Sequence, residues 1–202
     1  MRLIGSLTSP YVRFVRVTLA ELGVEHEFEV TGPFGKTSLE HERVIQAANP
    51  LMKVPVLTTG ADDIIDSRVI LTWLLTHHGS PEHFGAGFPE SLARENVLTT
   101  IYGVLEAGIL RFILRGSHPE IDMDTGYMAR SLKRMQSGFA WLDRCEDLGD
   151  SFAPPEALLV CALEWMRKRD VYDWSVHQRL AGIHRQFAER ESLVSTRIPD
   201  TI

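Results

Sequence analysis

The chain has 202 residues, of which 44% are hydrophobic and 24% charged, with a formal net charge of −6 and two cysteines. This is an ordinary soluble globular composition, long enough for one large domain or two small ones. The acidic balance and the lack of any basic run weigh against nucleic-acid binding, and no window reads as approaching a membrane span. Cys145 and Cys161 form neither a CxxC pair nor a disulfide framework. The opening MRLIGSLTSPY carries too short an apolar run for a signal peptide, so a cytoplasmic protein with reduced thiols is expected.

In chain order, Met1 to Ser6 reads as a first strand, and Thr8-Ser9-Pro10-Tyr11 as its exit into a helix. Val12, Val15, Leu19 and Leu22 recur at helical spacing, and Gly23 stops the run. Pro10 suits the first helical position, where its missing N–H is harmless, which makes Ser9 the N-cap. Glu25 to Val30 alternates as a second strand. Thr31 to Gly35 is a loop, Ser38 to Ala48 a modest helix carrying His41, and Asn49-Pro50 ends it.

The stretch NPLMKVPVLTTGADDIIDS, Asn49 to Ser67, is the most informative. Val54-Pro55-Val56-Leu57 reads as a short strand, Gly60 to Asp63 as a turn and Ile64-Ile65 as the return strand of a hairpin. Pro55 cannot serve a central ladder, so it belongs at an edge, at a strand start or in a cis bond held in a turn. With a cis bond, the Val54 N–H and C=O are available to an extended peptide. Asp66-Ser67 opens the apolar helix Arg68 to Leu75, and a helix N-terminus with a hydroxyl is a ready carboxylate site. The same residues also serve as an ordinary strand-start proline and an ordinary N-cap.

His77 to Pro89 is a turn-rich stretch with little periodicity, and everything beyond it is predicted helical. The expected helices are Ser91 to Leu114, Gly126 to Leu148, Glu156 to Met166 and Ser175 to Ala188, followed by an irregular end. Strand, helix, strand, helix, strand, strand, helix predicts a thioredoxin-like domain, a mixed four-stranded sheet covered by helices on both faces. The fold class is therefore α/β plus all-α. A thioredoxin-like domain at 1–78 is followed by a linker at 79–89 and a helical bundle domain at 90–202.

SPYVR after a first strand, NPxxKVPVL, DS opening a helix, and an all-helical second half together resemble the soluble glutathione transferases, especially bacterial members. The resemblance implies glutathione as co-substrate, no metal, and conjugation to an electrophilic small molecule in a cytoplasmic, detoxifying homodimer, with glutathione peroxidase as a side activity. By similarity, the Val54 main chain before cis-Pro55 pairs with the cysteinyl backbone. Asp66 and Ser67 hold the γ-glutamyl end, and His41 and Lys53 reach the glycyl carboxylate.

Ser9 stands where redox relatives of this fold carry the cysteine of CPYC, and its neighbours here are Pro10-Tyr11-Val12. Without that cysteine no dithiol cycle is available, but a hydroxyl can donate to the glutathione sulfur. A hydrogen bond to a charged group contributes roughly 1.5–3 kcal/mol, or about one to two pKa units. Thr8 is the first substitute for this role. Tyr102, Leu105, Ile109 and Phe112 are candidates for the wall of an electrophile pocket, or plain core. Three features depart from the family: Met52 replaces its glycine before Lys53, Ala153 replaces a capping hydroxyl ahead of Glu156, and no proline follows Trp174. The alternative readings are a non-catalytic interaction module of the same fold and a glutathione-dependent isomerase or dehalogenase.

Overall fold

A computed structural model describes residues 1–33, 35–79, 84–85, 88 and 91–200. The chain divides into two compact units, Met1–Phe88 together with Arg190–Ile202, and Pro89–Glu189. The sequence reading carried the second domain through to residue 202; the closing segment instead returns to the first unit. Most of the expected 79–89 linker, like Phe34 of the early loop, lies outside the described residues.

In the first unit the order is β1 (Arg2–Ser6), α1 (Pro10–Glu21), β2 (Glu27–Thr31), α2 (Leu39–Ala48), β3 (Val56–Thr58), β4 (Asp63–Ile65) and α3 (Ser67–His78). The sheet runs β2-β1-β3-β4, with β1 parallel to β2 and antiparallel to β3, and β3 antiparallel to β4. Because successive strand residues face opposite ways, two cores form. Leu3, Leu57 and Ile64 meet Val12, Val15 and Leu19 of α1 and Ile70 and Leu74 of α3 on one face. Ile4 and Val56 meet Ile45 of α2 on the other. The expected mixed sheet with helices on both faces is thus present. A Cβ on Gly5 would stand 2.6 Å from both Val12 methyls, so the missing side chain is what lets α1 lie so close to β1.

Several boundaries in this unit differ from expectation: β2 runs Glu27–Thr31 rather than from Glu25 to Val30, α3 continues to His78, and β4 takes in Asp63. β3 begins at Val56 rather than Val54, since Pro55 has no N–H to give the ladder.

The second unit contains α4 (Leu92–Ser117), α5 (Gly126–Leu142), α6 (Pro154–Lys168), a 3₁₀ turn at Trp174–Val176 and α7 (Gln178–Phe187). α5 stops at Leu142, short of the predicted Leu148. Asp143 leaves the helix and uses Oδ1 to accept the N–H groups of Arg179 (2.9 Å) and Leu180 (3.2 Å), and so serves the start of α7 instead. The predicted fourth helix is split at His177, and the end expected to be irregular contains the short α8 (Glu191–Val194), in the first unit.

α4 corrects another expectation. By length and composition it is long and apolar enough to cross a membrane, which no window was expected to be. Its apolar side packs on α5 and α6, as in the core helix of a globular unit. A Cβ on Gly138 of α5 would stand 2.2 Å from Val104 Cγ1 of α4, so these two helices touch through a bare backbone.

The missing hydroxyl at the start of α6 has a compensation that spacing could not reveal. Ala153 cannot cap, but the Glu156 carboxylate still accepts the Ala153 N–H (3.2 Å) and also the Gly149 N–H (3.0 Å). Arg94 of α4 then clasps both its oxygens, at 2.8 and 2.9 Å, and donates to the Asp147 carbonyl as well. Glu156 is 0% exposed, so these hydrogen bonds take the place of the water that the carboxylate loses on burial. Glu156→Ala is expected to cost about 3–5 kcal/mol because it strands a buried guanidinium, and urea unfolding measures it. A loss under about 1 kcal/mol would mean that water replaces the carboxylate there.

Candidate functional site

Sheet register brings the scattered sequence motifs to one end of the first unit. Ile4 pairs with Val56, and Val56 pairs with Ile65. Followed in the antiparallel sense, the exit of β1 through Ser6 lies beside Pro55 and Val54, which lie in turn beside Asp66 and Ser67. The loop carrying Ser9, the segment ahead of β3 and the start of α3 therefore share an edge of the sheet. The Val54–Pro55 bond is cis. Val54 precedes the ladder, and among the described residues none of the main-chain hydrogen bonds outside the regular elements uses its N–H or C=O.

Ser9 is the N-cap of α1, with Pro10 in the first turn. Its Oγ accepts the Val12 N–H at 3.3 Å, so the oxygen is occupied as an acceptor while its hydrogen meets no acceptor among the described residues. Thr8 differs in both respects. It is buried, and its Oγ1 shares a 3.0 Å hydrogen bond with the Ser6 hydroxyl. The first turn of α1 has no acidic residue to offset the positive end of the helix.

Asn49 is the residue that sequence reading missed. It was assigned only to ending α2, yet it is buried and organises the whole approach to Val54. Its Nδ2 donates to the Lys53 carbonyl at 2.7 Å, its Oδ1 accepts the Leu51 N–H at 2.9 Å, and its own carbonyl accepts the Met52 N–H at 2.9 Å. Asn and Asp are favoured in such turns because the side chain mimics a backbone acceptor, so the Asn-Pro pair contained the signal. Lys53 is exposed directly before Val54. His41 is half-buried in the first turn of α2, about 12 Å along the helix from Asn49, and its N–H donates to the Ser38 hydroxyl at 3.2 Å.

Asp66 caps α3, with Oδ1 accepting the Arg68 N–H at 2.8 Å and its carbonyl accepting the Ile70 N–H at 3.0 Å. Its backbone, at φ 71° and ψ 128°, is one that side-chain-bearing residues rarely adopt. Such a conformation costs of order 1–3 kcal/mol, and strained residues of this kind cluster at ligand sites. Ser67, the first residue of α3, is buried. Among the described residues no group of three or more His, Cys, Asp or Glu could hold a metal ion. Of the pocket-wall candidates in the second unit, Leu105 is fully buried core. Phe112 meets Trp165 edge-on at 5.5 Å and lies under the Arg169 guanidinium at 5.4 Å, so its ring is engaged in the packing of that unit.

A thioredoxin-like domain with a helical partner unit, an open main-chain segment before a cis-proline, and a helix N-terminus beside it define the fold of the soluble glutathione transferases. Residues 3–82 match the family model described as glutathione S-transferase, N-terminal domain. The chain is 31% identical over 111 residues to the GST-like protein YibF of Escherichia coli (strain K12) and 34% identical over 98 residues to glutathione S-transferase 4 of Zea mays. These matches take in 54% and 48% of the chain, and the chain spans only about half the length of these curated relatives, 52% and 42%. Among solved structures, a glutathione S-transferase from Methylobacterium radiotolerans in complex with glutathione sulfonate superposes with a TM-score of 0.84 at 26% identity, covering 100% of this chain and 96% of that one. A glutathione transferase family member from Pseudomonas fluorescens Pf-5 with bound glutathione gives 0.80 at 25%, covering 98% of each. Residues 3–82 thus match the N-terminal domain of that family, and the whole chain shares the fold of these solved transferases.

The departure at Met52 now has a physical meaning. Its φ is 52°, in the left-handed region where glycine is at ease, and its side chain is 52% exposed. A left-handed residue bearing a Cβ costs roughly 1–2 kcal/mol, against about 0.5–1 kcal/mol of extra chain entropy for glycine. Met52→Gly is therefore expected to raise stability by about 0.5–1 kcal/mol, seen as a higher urea midpoint with an unchanged slope. A lower midpoint would mean that Met52 packs on something more valuable than its strain.

Proposed function

We propose that the chain is a glutathione transferase in which glutathione lies extended along Val54, with its thiol beside Ser9. The observation that carries this reading is the Ser9 hydroxyl, which accepts from Val12 N–H and keeps its hydrogen uncommitted at the positive end of α1. A thiolate placed there receives that hydrogen, a charge-assisted bond of roughly 1.5–3 kcal/mol. From a free thiol pKa near 8.5, a fall of about two units takes the ionised fraction at neutral pH from a few per cent to the majority. Thr8 is the weaker candidate because its hydroxyl is buried against Ser6.

The remaining contacts follow from the same edge. The Val54 N–H and C=O pair with the cysteinyl backbone as a strand would. The Asp66 carboxylate meets the γ-glutamyl ammonium, and Ser67 with the α3 N-terminus takes the adjoining carboxylate. Lys53, next in the chain to Val54, answers the glycyl carboxylate, with His41 as the more distant hydrogen-bond donor. The glutathione bound to the Pseudomonas relative and the glutathione sulfonate bound to the Methylobacterium relative support the ligand.

In the reaction, the thiolate sulfur gives its electron pair to an electrophilic carbon. A C–S bond forms, and the leaving group departs with its bonding pair. A peroxide oxygen is a second acceptor for the same thiolate: an S–O bond forms as the O–O bond breaks and the alcohol leaves, and a second glutathione thiol then displaces water from the sulfenic acid to give the disulfide. The small electrophile, the cytoplasmic detoxifying setting and a homodimer complete the proposal. Exposed apolar residues, Val69 on α3 and Tyr127 and Trp141 on α5, give a second copy surface to cover.

The test is a difference-absorbance titration of the thiolate of bound glutathione. The parent protein is expected to hold that thiol about one to two units below its free value, and Ser9→Ala to return it most of the way while glutathione still binds. Thr8→Val should leave it within a few tenths of a unit. Bound glutathione with an unshifted thiol would overturn the catalytic assignment, and no binding would favour an interaction module of this fold.

A further inference from the structure

Arg13 has no part in the reading above, yet among the described residues of the first unit it is the most deeply buried cation, 1% exposed. Its Nη2 donates to the Leu193 carbonyl at 3.1 Å, across 180 positions of sequence. Arg16, almost a turn further along α1, reaches the Thr196 carbonyl at 3.5 Å and lies over the Phe28 ring at 4.9 Å. At the C-terminal end of α1 the Glu21 carboxylate accepts Arg190 Nε (3.1 Å) and Nη2 (2.8 Å) together with the Ser192 hydroxyl. Leu193 and Ile198 are buried under these ties. The segment from Arg190 onward is therefore fastened along α1 at three successive levels.

The other end of α1 is the functional one. The Arg13 N–H donates to the Ser9 carbonyl at 3.0 Å, and the Val12 N–H donates to the Ser9 hydroxyl. First turns of helices fray, because their leading N–H groups lack intrahelical partners. A cap hydroxyl that must meet a sulfur needs its helix held to a fraction of an ångström.

We propose that residues 190–200 are a brace for α1, and that Arg13 is a positioning residue that fixes the first turn of α1 and with it the Ser9 hydroxyl. The brace stands on these contacts alone, whereas the positioning role rests on the reading of Ser9 as the thiolate's donor.

The test uses the full chain with Arg13→Gln, Arg13→Lys and Glu21→Gln, and two independent measurements. The first is amide hydrogen exchange at Val12 and Arg13, with Ile70 of α3 as internal reference. The second is the thiolate titration of bound glutathione. In Arg13→Gln, exchange at Val12 and Arg13 is expected to rise about tenfold relative to Ile70. The thiol should rise by about half to one unit while glutathione affinity changes less than about threefold, because the Val54, Asp66 and Ser67 contacts do not pass through α1. Arg13→Lys, which keeps a cationic donor, should recover most of both effects. Glu21→Gln frees Arg190 and Ser192 at the partly exposed end of the brace and should move both readouts the same way by less; it decides the matter if Arg13→Gln does not fold. Unchanged exchange in the folded variants would overturn the brace. Faster exchange with an unmoved thiol would overturn the positioning role. A parent protein that leaves the thiol unshifted would remove the Ser9 reading and the positioning role together, with exchange still deciding the brace.

Discussion

The hydrogen-bond register of β3 is the constraint on which the first unit depends. β3 is short, Val56–Thr58, and is held on both sides, with Val56 opposite Ile4 of β1 and Ile65 of β4. A slip of one residue would turn Val56 and Leu57 to the wrong faces and empty both cores at once. The same register decides that the exits of β1 and β4 and the entry to β3 lie side by side. Burial fixes the register, and the register assembles the site.

Charge is distributed to suit that end of the sheet. α1 and α3 both begin there, and neither has an acidic residue in its first turn. α2 carries Glu40 and Glu42 in its first turn. Carboxylates near a helix N-terminus are the usual stabilising choice, and they would repel an anion at α1. Uncharged Ser9 caps α1 and leaves its positive end available, whereas at α3 the cap itself is a carboxylate, Asp66, with Oδ1 bound to the Arg68 N–H.

Both units also bury a guanidinium against distant main chain. Arg94 joins α4 to the start of α6 through Glu156 and the Asp147 carbonyl, and Arg13 joins α1 to the Leu193 carbonyl. A planar fork of five donors can bind carbonyls and carboxylates from separate segments at fixed angles, which an apolar contact cannot do. Such a contact specifies one arrangement of the chain, and it is the kind of interaction that local sequence pattern hides.

Much was legible in the residues themselves. Ser9-Pro10 fixes where α1 starts, Gly60 to Asp62 marks the hairpin turn while Asp63 joins β4, and Asp66-Ser67 opens α3, because caps and turns depend on a residue's own backbone preference and side-chain reach. The two-residue alternation of Leu3-Ile4 and Val56-Leu57 already implies two covered faces. Other features belonged to tertiary structure alone: the early end of α5, the return of the closing segment to the first unit, and the buried Arg94–Glu156 pair behind the lost cap. Each depends on a partner brought close only after the chain has folded, from 36 positions away for Asp143 to 180 for Arg13. Local preferences act through the few bonds around each residue and can be read in order along the sequence. A contact between distant segments depends on the three-dimensional path that burial of the whole core selects.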